Sequence, residues 1–144
     1  MLVEVKVKVA RIIDGKTRKK TETYVLDKEV FADAEYQVMA KLSQEQEEGF
    51  VDGFEIQGLR ISQIKEIASQ FNGQFTYMAT LKDIWLDEVG NEKTLRYKVL
   101  LDADDLADAQ SNIQQLARQG YDMQVEGIKQ VDYEYLTNQE ESNE

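Results

Sequence analysis

The chain has 144 residues, 42% of them hydrophobic, and its 28 acidic residues against 17 basic ones give a formal net charge of −11. It contains no Cys, no His and no Pro, which excludes disulfides, thiolate chemistry, histidine-based catalysis and the usual zinc sites. The acidic balance favours solubility and opposes non-specific attraction to phosphate backbones, and without a run of about 18 apolar residues no membrane span is expected.

The first predicted element is a strand over residues 2–13, in which valine alternates with charged residues from Val3 to Val9. This period of two predicts one buried face, whereas a secretory signal needs a continuous apolar stretch. The protein is therefore expected in the cytoplasm, that of the host cell if a phage encodes it. Asp14–Gly15 predicts a tight hairpin turn because glycine adopts positive φ at little cost, and Lys16–Leu26 is predicted as the return strand.

A helix is predicted over about 30–44, because apolar residues recur there at helical spacing. These residues are Phe31, Ala34, Val38 and Leu42. Gln44–Gly53 is acidic and has no periodicity, which predicts a solvated loop, and a further strand is predicted from Phe54 to Ile61. Ile64 and Ile67 either extend that strand or form a short helical turn, and the sequence does not choose between the two.

The second half of the chain has the same order of predicted elements. Asn72–Gly73 marks a turn, and the alternation over Phe75–Leu81 predicts a strand. The loop Asp87–Asn91 joins that strand to the next one, over Tyr97–Asp102, and a helix is predicted over about 104–116.

The chain from Gly120 onwards completes the second half. Gly120 stands where a helix commonly ends in a left-handed cap, and Met123–Lys129 is predicted as the last strand. Residues 137–144 are polar and acidic, which predicts a disordered tail.

Short matches indicate that the two halves are copies of one unit. Ala107–Ala109 repeats Ala32–Ala34 at a distance of 75 positions, and Gly127–Lys129 resembles Gly58–Arg60 at a distance of 69. The predicted fold is therefore α+β, an internal duplication of a β-β-α-β unit that forms a pseudo-twofold dimer, with helices on one face of an antiparallel sheet. The predicted parts are a first repeat at 1–68, a junction at 69–73, a second repeat at 74–136 and the tail at 137–144.

The order of these residues resembles an uncharacterised family, a domain of unknown function of Bacteroidetes and their phages. The resemblance rests on Val3–Lys8, Lys19–Val25, Phe31–Glu35, Gly53–Ile56, Leu86–Glu88, Gly90–Lys93, Tyr97 and Leu106–Ala109. It covers most of residues 2–135 and implies a duplicated strand-hairpin-strand-helix unit, but no activity. The chain departs from the family pattern at Asp104, where a small polar residue is usual, and at Thr23, where Pro often stands.

Four aspartates around the second predicted helix allow two interpretations. Asp102, Asp104, Asp105 and Asp108 could offer oxygen ligands to a hard cation. Their positions suit a helix N-terminus better, with Asp104 as the N-cap and the next two aspartates near the positive end of the helix dipole. The sequence therefore predicts capping, no metal site and no cofactor.

Basic residues on the two return strands are the candidate nucleic-acid contacts. They are Lys16, Arg18, Lys19 and Lys20 on the first, and Lys93, Arg96 and Lys98 on the second. If both hairpins project the same way, these charges could contact phosphates while Tyr24, Trp85 and Tyr97 stack on bases. The competing interpretation is that they are solvent-facing charges that protect exposed strands from aggregation.

These observations favour a non-enzymatic accessory or adaptor protein that acts through protein–protein contacts. No phosphate-binding loop, nucleophile elbow or isolated pair of carboxylates indicates an enzyme. One alternative is a nucleic-acid-interacting protein that uses the basic hairpins, and another is an acidic mimic of nucleic acid that inhibits a host protein. The expected partner is an unidentified protein, no membrane contact is expected, and a homo-oligomer is left open.

Overall fold

The computed structural model describes residues 1–68, 73–118 and 123–137. Within these ranges it contains two helices and two four-stranded sheets, which confirms the α+β class. The elements in chain order are β1 (Leu2–Ile13), β2 (Lys16–Asp27), α1 (Phe31–Glu47), β3 (Val51–Ile61), β4 (Ile64–Ala68), β5 (Phe75–Leu86), β6 (Glu92–Ala103), α2 (Leu106–Arg118), β7 (Met123–Gln130) and β8 (Tyr133–Leu136). In these ranges neither helix is long and apolar enough to cross a bilayer.

The first compact unit consists of Met1–Ser62 together with Asp132–Glu144. Its sheet has the order β3-β1-β2-β8, in which β1 pairs antiparallel with β2 and β3, and β2 pairs parallel with β8. The predicted hairpin turn is confirmed: Asp14 and Gly15 both have positive φ, at 53° and 77°. Such a two-residue turn matches the twist of the strands that it joins.

The core of the first unit lies between one face of its sheet and α1. The valines that alternate along β1 are fully buried, as the period of two predicted, and they pack with Tyr24 and Leu26 of β2. Ala34, Val38 and Leu42 recur at helical spacing and supply the facing side of α1.

The second compact unit is Gln63–Val131, and its sheet has the order β4-β6-β5-β7. β5 pairs antiparallel with β6 and β7, and β4 pairs parallel with β6. Ala109 and Ile113 of α2 are fully buried in its core. The strand residues of this core include Tyr77, Ala79, Leu81, Val99 and Leu101.

The expectation of purely antiparallel pairing is wrong, because each sheet contains one parallel pair. The two strands responsible are β4, the segment that the sequence left open between strand and helical turn, and β8. β4 follows the first half of the sequence but joins the second unit, whereas β8 follows the second half and joins the first unit. β4 has five residues and β8 has four, and such short strands show no clear alternation of apolar and polar residues. The sequence therefore does not predict their pairing.

One further prediction of the sequence is wrong. The acidic loop over Gln44–Gly53 is wrong for most of its length, since α1 continues to Glu47 and β3 already begins at Val51. The division into repeats 1–68 and 74–136 stays a prediction. The junction at 69–73 lies, except for Gly73, outside the described residues. The same holds for Gly120 and for all of the tail except Thr137.

Candidate contact surfaces

The four basic residues predicted on β2 do not share one face of the strand. Alternate residues of a strand point the same way, so Lys16, Arg18 and Lys20 lie on the face that α1 covers further along the strand, and Lys19 lies on the opposite face. All four are exposed. Lys20 is 3.4 Å from the carboxylate of Glu22 and is therefore part of an ion pair.

The three basic residues predicted on β6 are divided in the same way. Lys93 lies on the face that carries the core further along the strand, whereas Arg96 and Lys98 lie on the other face. Lys93 is 3.9 Å from the carboxylate of Asp87, and Arg96 Nε donates to Glu126 at 2.6 Å. The basic residues predicted to contact nucleic acid from the two return strands thus lie on both faces of each hairpin.

A network of charged side chains joins α1 to the β1–β2 hairpin. Arg11 donates from Nε and Nη2 to the two carboxylate oxygens of Glu22, with an Nη2 to Oε1 distance of 2.7 Å, and from Nη1 to Glu45 on α1 at 2.9 Å. The Tyr24 hydroxyl also donates to Glu22, at 2.5 Å, and Lys41 Nζ donates to Glu45 at 2.6 Å. The Arg11 and Glu22 side chains are only 18% and 10% exposed, so solvent screens this pair less than a surface pair.

The network keeps fixed charges at neutral pH. Burial opposes ionisation of Glu22, but hydrogen bonds from Arg11 and Tyr24 outweigh it and lower the pKa of Glu22 to about 2. Burial, followed by the hydrogen bond to Glu22, raises the pKa of Tyr24, and the hydrogen bond to Glu22 raises the pKa of Arg11. A general acid or base needs a pKa near the working pH, so this network is suited to holding the helix and not to proton transfer.

A polar cleft of about 250 Å³ lies on the face of the first sheet that is turned away from α1. Its lining includes Glu4, Lys6, Thr23, Gly58, Arg60 and Tyr133. Glu4 is buried and accepts hydrogen bonds from Arg60, at 3.0 and 2.8 Å, and from the Ser62 hydroxyl at 2.6 Å. The negative charge of Glu4 is therefore largely compensated within the protein.

A second cleft of about 290 Å³ lies further along the same side of β1. Its lining residues are Lys8, Ala10, Lys19, Gly53, Phe54 and Glu55. Lys6, Lys8, Lys19 and Arg60 are all exposed, and we refer to these four residues as the basic sheet face. The clefts also contain the carboxylates of Glu4 and Glu55, so four basic side chains stand against two acidic ones on this face.

The end of the β5–β6 hairpin is apolar and exposed. Trp85 is 45% exposed, Leu86 68%, Val89 79% and Leu95 45%. Trp85 pairs across the hairpin with Lys93, and Leu95 pairs with the residue two positions before Trp85, so Trp85 and Leu95 are diagonal neighbours on one face. We refer to Trp85, Leu86, Val89 and Leu95 as the hairpin tip.

Residues 1–141 match the family model described as a domain of unknown function, DUF4494. The chain belongs to the DUF4494 family. This match confirms the resemblance to a domain of unknown function, while the link to Bacteroidetes and their phages stays a prediction. No curated protein and no solved structure matches the chain.

Two of the four aspartates of this DUF4494 chain, Asp105 and Asp108, cap α2, whereas Asp102 and Asp104 accept from the backbone N–H groups of Gly73 and Gln74. The N-cap is Asp105, whose carboxylate accepts from the backbone N–H of Asp108 at 2.8 Å, so the assignment of Asp104 as N-cap is wrong by one residue. Asp108 accepts in turn from the N–H of Asp104 at 2.9 Å, and this reciprocal arrangement satisfies two donors at the helix start. Among the described residues, no three acidic side chains come together in a way that could hold a metal ion.

Two features of the DUF4494 chain that bear on these surfaces are visible in the sequence of β1. Lys6 and Lys8 fill the polar positions of the alternation in β1, and that pattern alone places them on one solvent-facing side. Arg11 interrupts the buried positions of the same alternation, and a charge at a core-facing position indicates an internal partner.

Proposed function

We propose that this DUF4494 protein is a non-enzymatic accessory or adaptor protein whose main protein-binding surface is the hairpin tip. The single observation that supports this is the exposure of the only tryptophan of the chain, Trp85, among three further large apolar side chains. Tryptophan is the residue most enriched among those that dominate binding energy at interfaces, and clustered exposed apolar surface marks interaction sites.

Charged residues around the hairpin tip give it the composition of an interface. Asp83 and Lys93 flank Trp85 within the β5–β6 ladder, and Glu88 lies in the connecting loop. An apolar centre with a charged rim is the usual arrangement of a protein–protein contact, because the rim keeps water away from the centre. Both signs of charge occur in this rim, so the partner surface need not be strongly charged.

The test is capture of partners from a lysate of the cell that naturally produces the protein, followed by titration of the recovered partner. Trp85→Ala is expected to weaken binding by about 30-fold or more, which corresponds to the loss of about 2 kcal/mol typical of a dominant interface residue. Tyr36→Ala is the matched control, since Tyr36 is a 76% exposed aromatic residue on α1, and it is expected to leave binding unchanged.

Two results would contradict the proposal. Equal binding by wild-type protein and Trp85→Ala would remove the hairpin tip as the contact surface. Turnover of a nucleotide or an ester by the purified protein would remove the non-enzymatic interpretation. The alternative with Lys16–Lys20 and Lys93–Lys98 as nucleic-acid contacts receives less support, because these residues lie on both faces of their hairpins.

We also propose that the two units descend from one duplicated ββαβ ancestor and form an internal pseudo-dimer. The support is the matching strand order, β3-β1-β2-β8 in one unit and β7-β5-β6-β4 in the other. Both units also have a register shift in the ladder between the first strand of the hairpin and the strand after the helix, near Gly58 and Gly127. An experimental structure tests this: equivalent strands should superpose in the same register, and unlike registers would contradict the duplication.

A further inference from the structure

We propose that the basic sheet face binds single-stranded nucleic acid, which lies along β1 with successive nucleotides in the two clefts. This site is separate from the hairpin tip and uses residues other than the predicted contacts on β6. Of the predicted contacts on β2 it includes only Lys19. The inference goes beyond the proposed function, because it assigns the protein a second kind of ligand.

The two clefts share a lysine of β1 and a glycine of β3. The first combines Lys6 of β1, Gly58 of β3 and the aromatic residue Tyr133. The second combines Lys8 of β1, Gly53 of β3 and Phe54, whose ring is partly buried against the core. Phe54 pairs with the core-facing Val9, so its ring lies on the α1 side of the sheet. A cation that can contact phosphate and a bare stretch of backbone therefore occur twice in succession, and Tyr133 adds to the first cleft an aromatic side chain on which a base can stack.

The spacing and size of the clefts indicate a polymer as the ligand. Lys6 and Lys8 are two residues apart on one strand, so their Cα atoms are separated by roughly 6.8 Å along β1. The volumes of about 250 and 290 Å³ lie below the range of about 300–1,000 Å³ of pockets that enclose a small molecule. Neither cleft encloses a complete ligand, but neighbouring clefts can hold neighbouring units of one chain.

The glycines leave room for a ligand to approach the sheet. A Cβ atom built on Gly53 or Gly58 meets no other atom of the described residues within 4 Å, so the space above both glycines is open to them. Glycine weakens a strand, and inside a strand it often marks a bulge or the close approach of a ligand. Gly58 also lies beside a register shift between β1 and β3.

Local charge outweighs the net charge of the protein at moderate salt. The formal charge of −11 repels a polyanion at long range, but the Debye length is only about 10 Å at 0.1 M salt. Arg60 keeps its charge, because the hydrogen bond that it donates to Glu4, and then the attraction of the Glu4 carboxylate, raise the pKa of Arg60. At the sheet surface the contacts with Lys6, Lys8 and Lys19 therefore determine binding, while the charge of Arg60 is offset by Glu4.

The first test is fluorescence anisotropy with a labelled single-stranded oligonucleotide of about 12 nucleotides, within the site sizes known for small single-strand-binding folds. Lys6→Gln combined with Lys8→Gln is expected to weaken binding about tenfold or more at low salt. The slope of log K against log salt should become shallower by about 1.4, since each lost phosphate contact on a single strand removes about 0.7. The matched control is Lys16→Gln with Arg18→Gln, which removes the same charge from the other face of the hairpin and should change neither quantity.

The second test changes shape and leaves charge unaltered. Gly58→Val fills the first cleft and should weaken binding about tenfold without loss of folding, because the added atoms enter open space. Gly127→Val is its control, since Gly127 occupies the matching position beside the register shift in the second sheet and has the same open space. Tyr133→Leu should weaken binding about fivefold or more with an unchanged salt slope, because it removes stacking and no charge.

Four outcomes would overturn the proposal. They are the absence of binding at low salt, equal losses in the Lys6/Lys8 and Lys16/Arg18 variants, equal losses in Gly58→Val and Gly127→Val, and competition by polyglutamate as strong as that by unlabelled oligonucleotide. The last result would identify a site for acidic protein segments.

Thermal melts of each variant show that a lost signal reflects binding and not unfolding. Because Trp85→Ala leaves the basic sheet face intact, its effect on the protein partner is independent of these results.

Discussion

Deletion of residues 133–144 is expected to lower the free energy of unfolding of the first unit by about 4 kcal/mol. The deletion removes β8, whose four residues pair with Thr23–Leu26 at the edge of the first sheet. Leu136 is partly buried against the core of that unit, and its loss costs towards the lower end of the roughly 1.5–3 kcal/mol that a fully buried large apolar side chain contributes. Gln37 is buried and donates to the carbonyl of Thr137 at 2.7 Å, and a buried donor without its acceptor adds about 1–3 kcal/mol.

Urea unfolding followed by circular dichroism measures the loss, and hydrogen exchange locates it. The amides of β1 and β2 should exchange faster, whereas those of β5 and β6 should keep their protection, because β8 belongs to the first sheet only. Deletion of residues 138–144 is the control, because it keeps β8 and the Thr137 carbonyl in place. Leu136→Ala offers a milder variant, with an expected loss of about 2 kcal/mol, in case the longer deletion prevents folding. Equal loss of protection in both units would contradict the assignment of β8.

Glu22→Gln is expected to lower the free energy of unfolding by about 3 kcal/mol at neutral pH. The variant replaces a carboxylate that accepts from Arg11 and from the Tyr24 hydroxyl with an amide that carries only one acceptor oxygen. Removal of one partner from a buried ion pair costs about 3–5 kcal/mol. The lower end applies here because Arg11 keeps its contact with Glu45 at 2.9 Å.

Lys20→Gln is the matched control for this prediction. Lys20 also contacts Glu22, at 3.4 Å, but its side chain is 46% exposed, and exposed pairs contribute about 0–1 kcal/mol. Arg11→Met combined with Glu22→Leu should cost less than Glu22→Gln alone, since it leaves no uncompensated charge between β1 and β2. A loss below about 1 kcal/mol for Glu22→Gln, measured by urea unfolding, would show that the network contributes little.

The contribution of Glu22 to stability should depend on pH in the acidic range. Its pKa is about 2 in the folded protein against an ordinary value of 4.5, so its stabilisation is complete above about pH 4.5 and is lost as the pH falls towards 2. The wild-type and Glu22→Gln free energies should therefore differ most at neutral pH and converge below pH 4.5. A difference that stays constant down to pH 2 would contradict the lowered pKa.

Local signals in the sequence were sufficient to predict the hairpins and the helices. The alternation in β1 and the Asp14–Gly15 turn depend on residues that are close in the chain, and the structure confirms both. The helical spacing of Ala34, Val38 and Leu42 likewise places these residues in one core. Such patterns are reliable because burial of one face requires the same period wherever the element packs.

The parallel pairs could not be predicted, because nothing near β4 or β8 indicates their partners. Their assignment depends on contacts between segments far apart in the sequence, such as Leu26 with Leu136. The contact surfaces were only partly predictable for the same reason. Lys19 was recognised as basic, but its position beside Lys8 follows from the pairing of β1 with β2.

Each sheet takes its fourth strand from the other half of the chain, β8 in the first sheet and β4 in the second. This arrangement affects synthesis on the ribosome. The first sheet receives its fourth strand only after the chain has been translated to Leu136, although its other three strands are complete at Ile61. Until then the edge of β2 has no neighbour, and an unpaired edge is a template for association with other chains. Nascent chains of this protein therefore depend on rapid completion, and pausing of translation within β6 or α2 should increase aggregation.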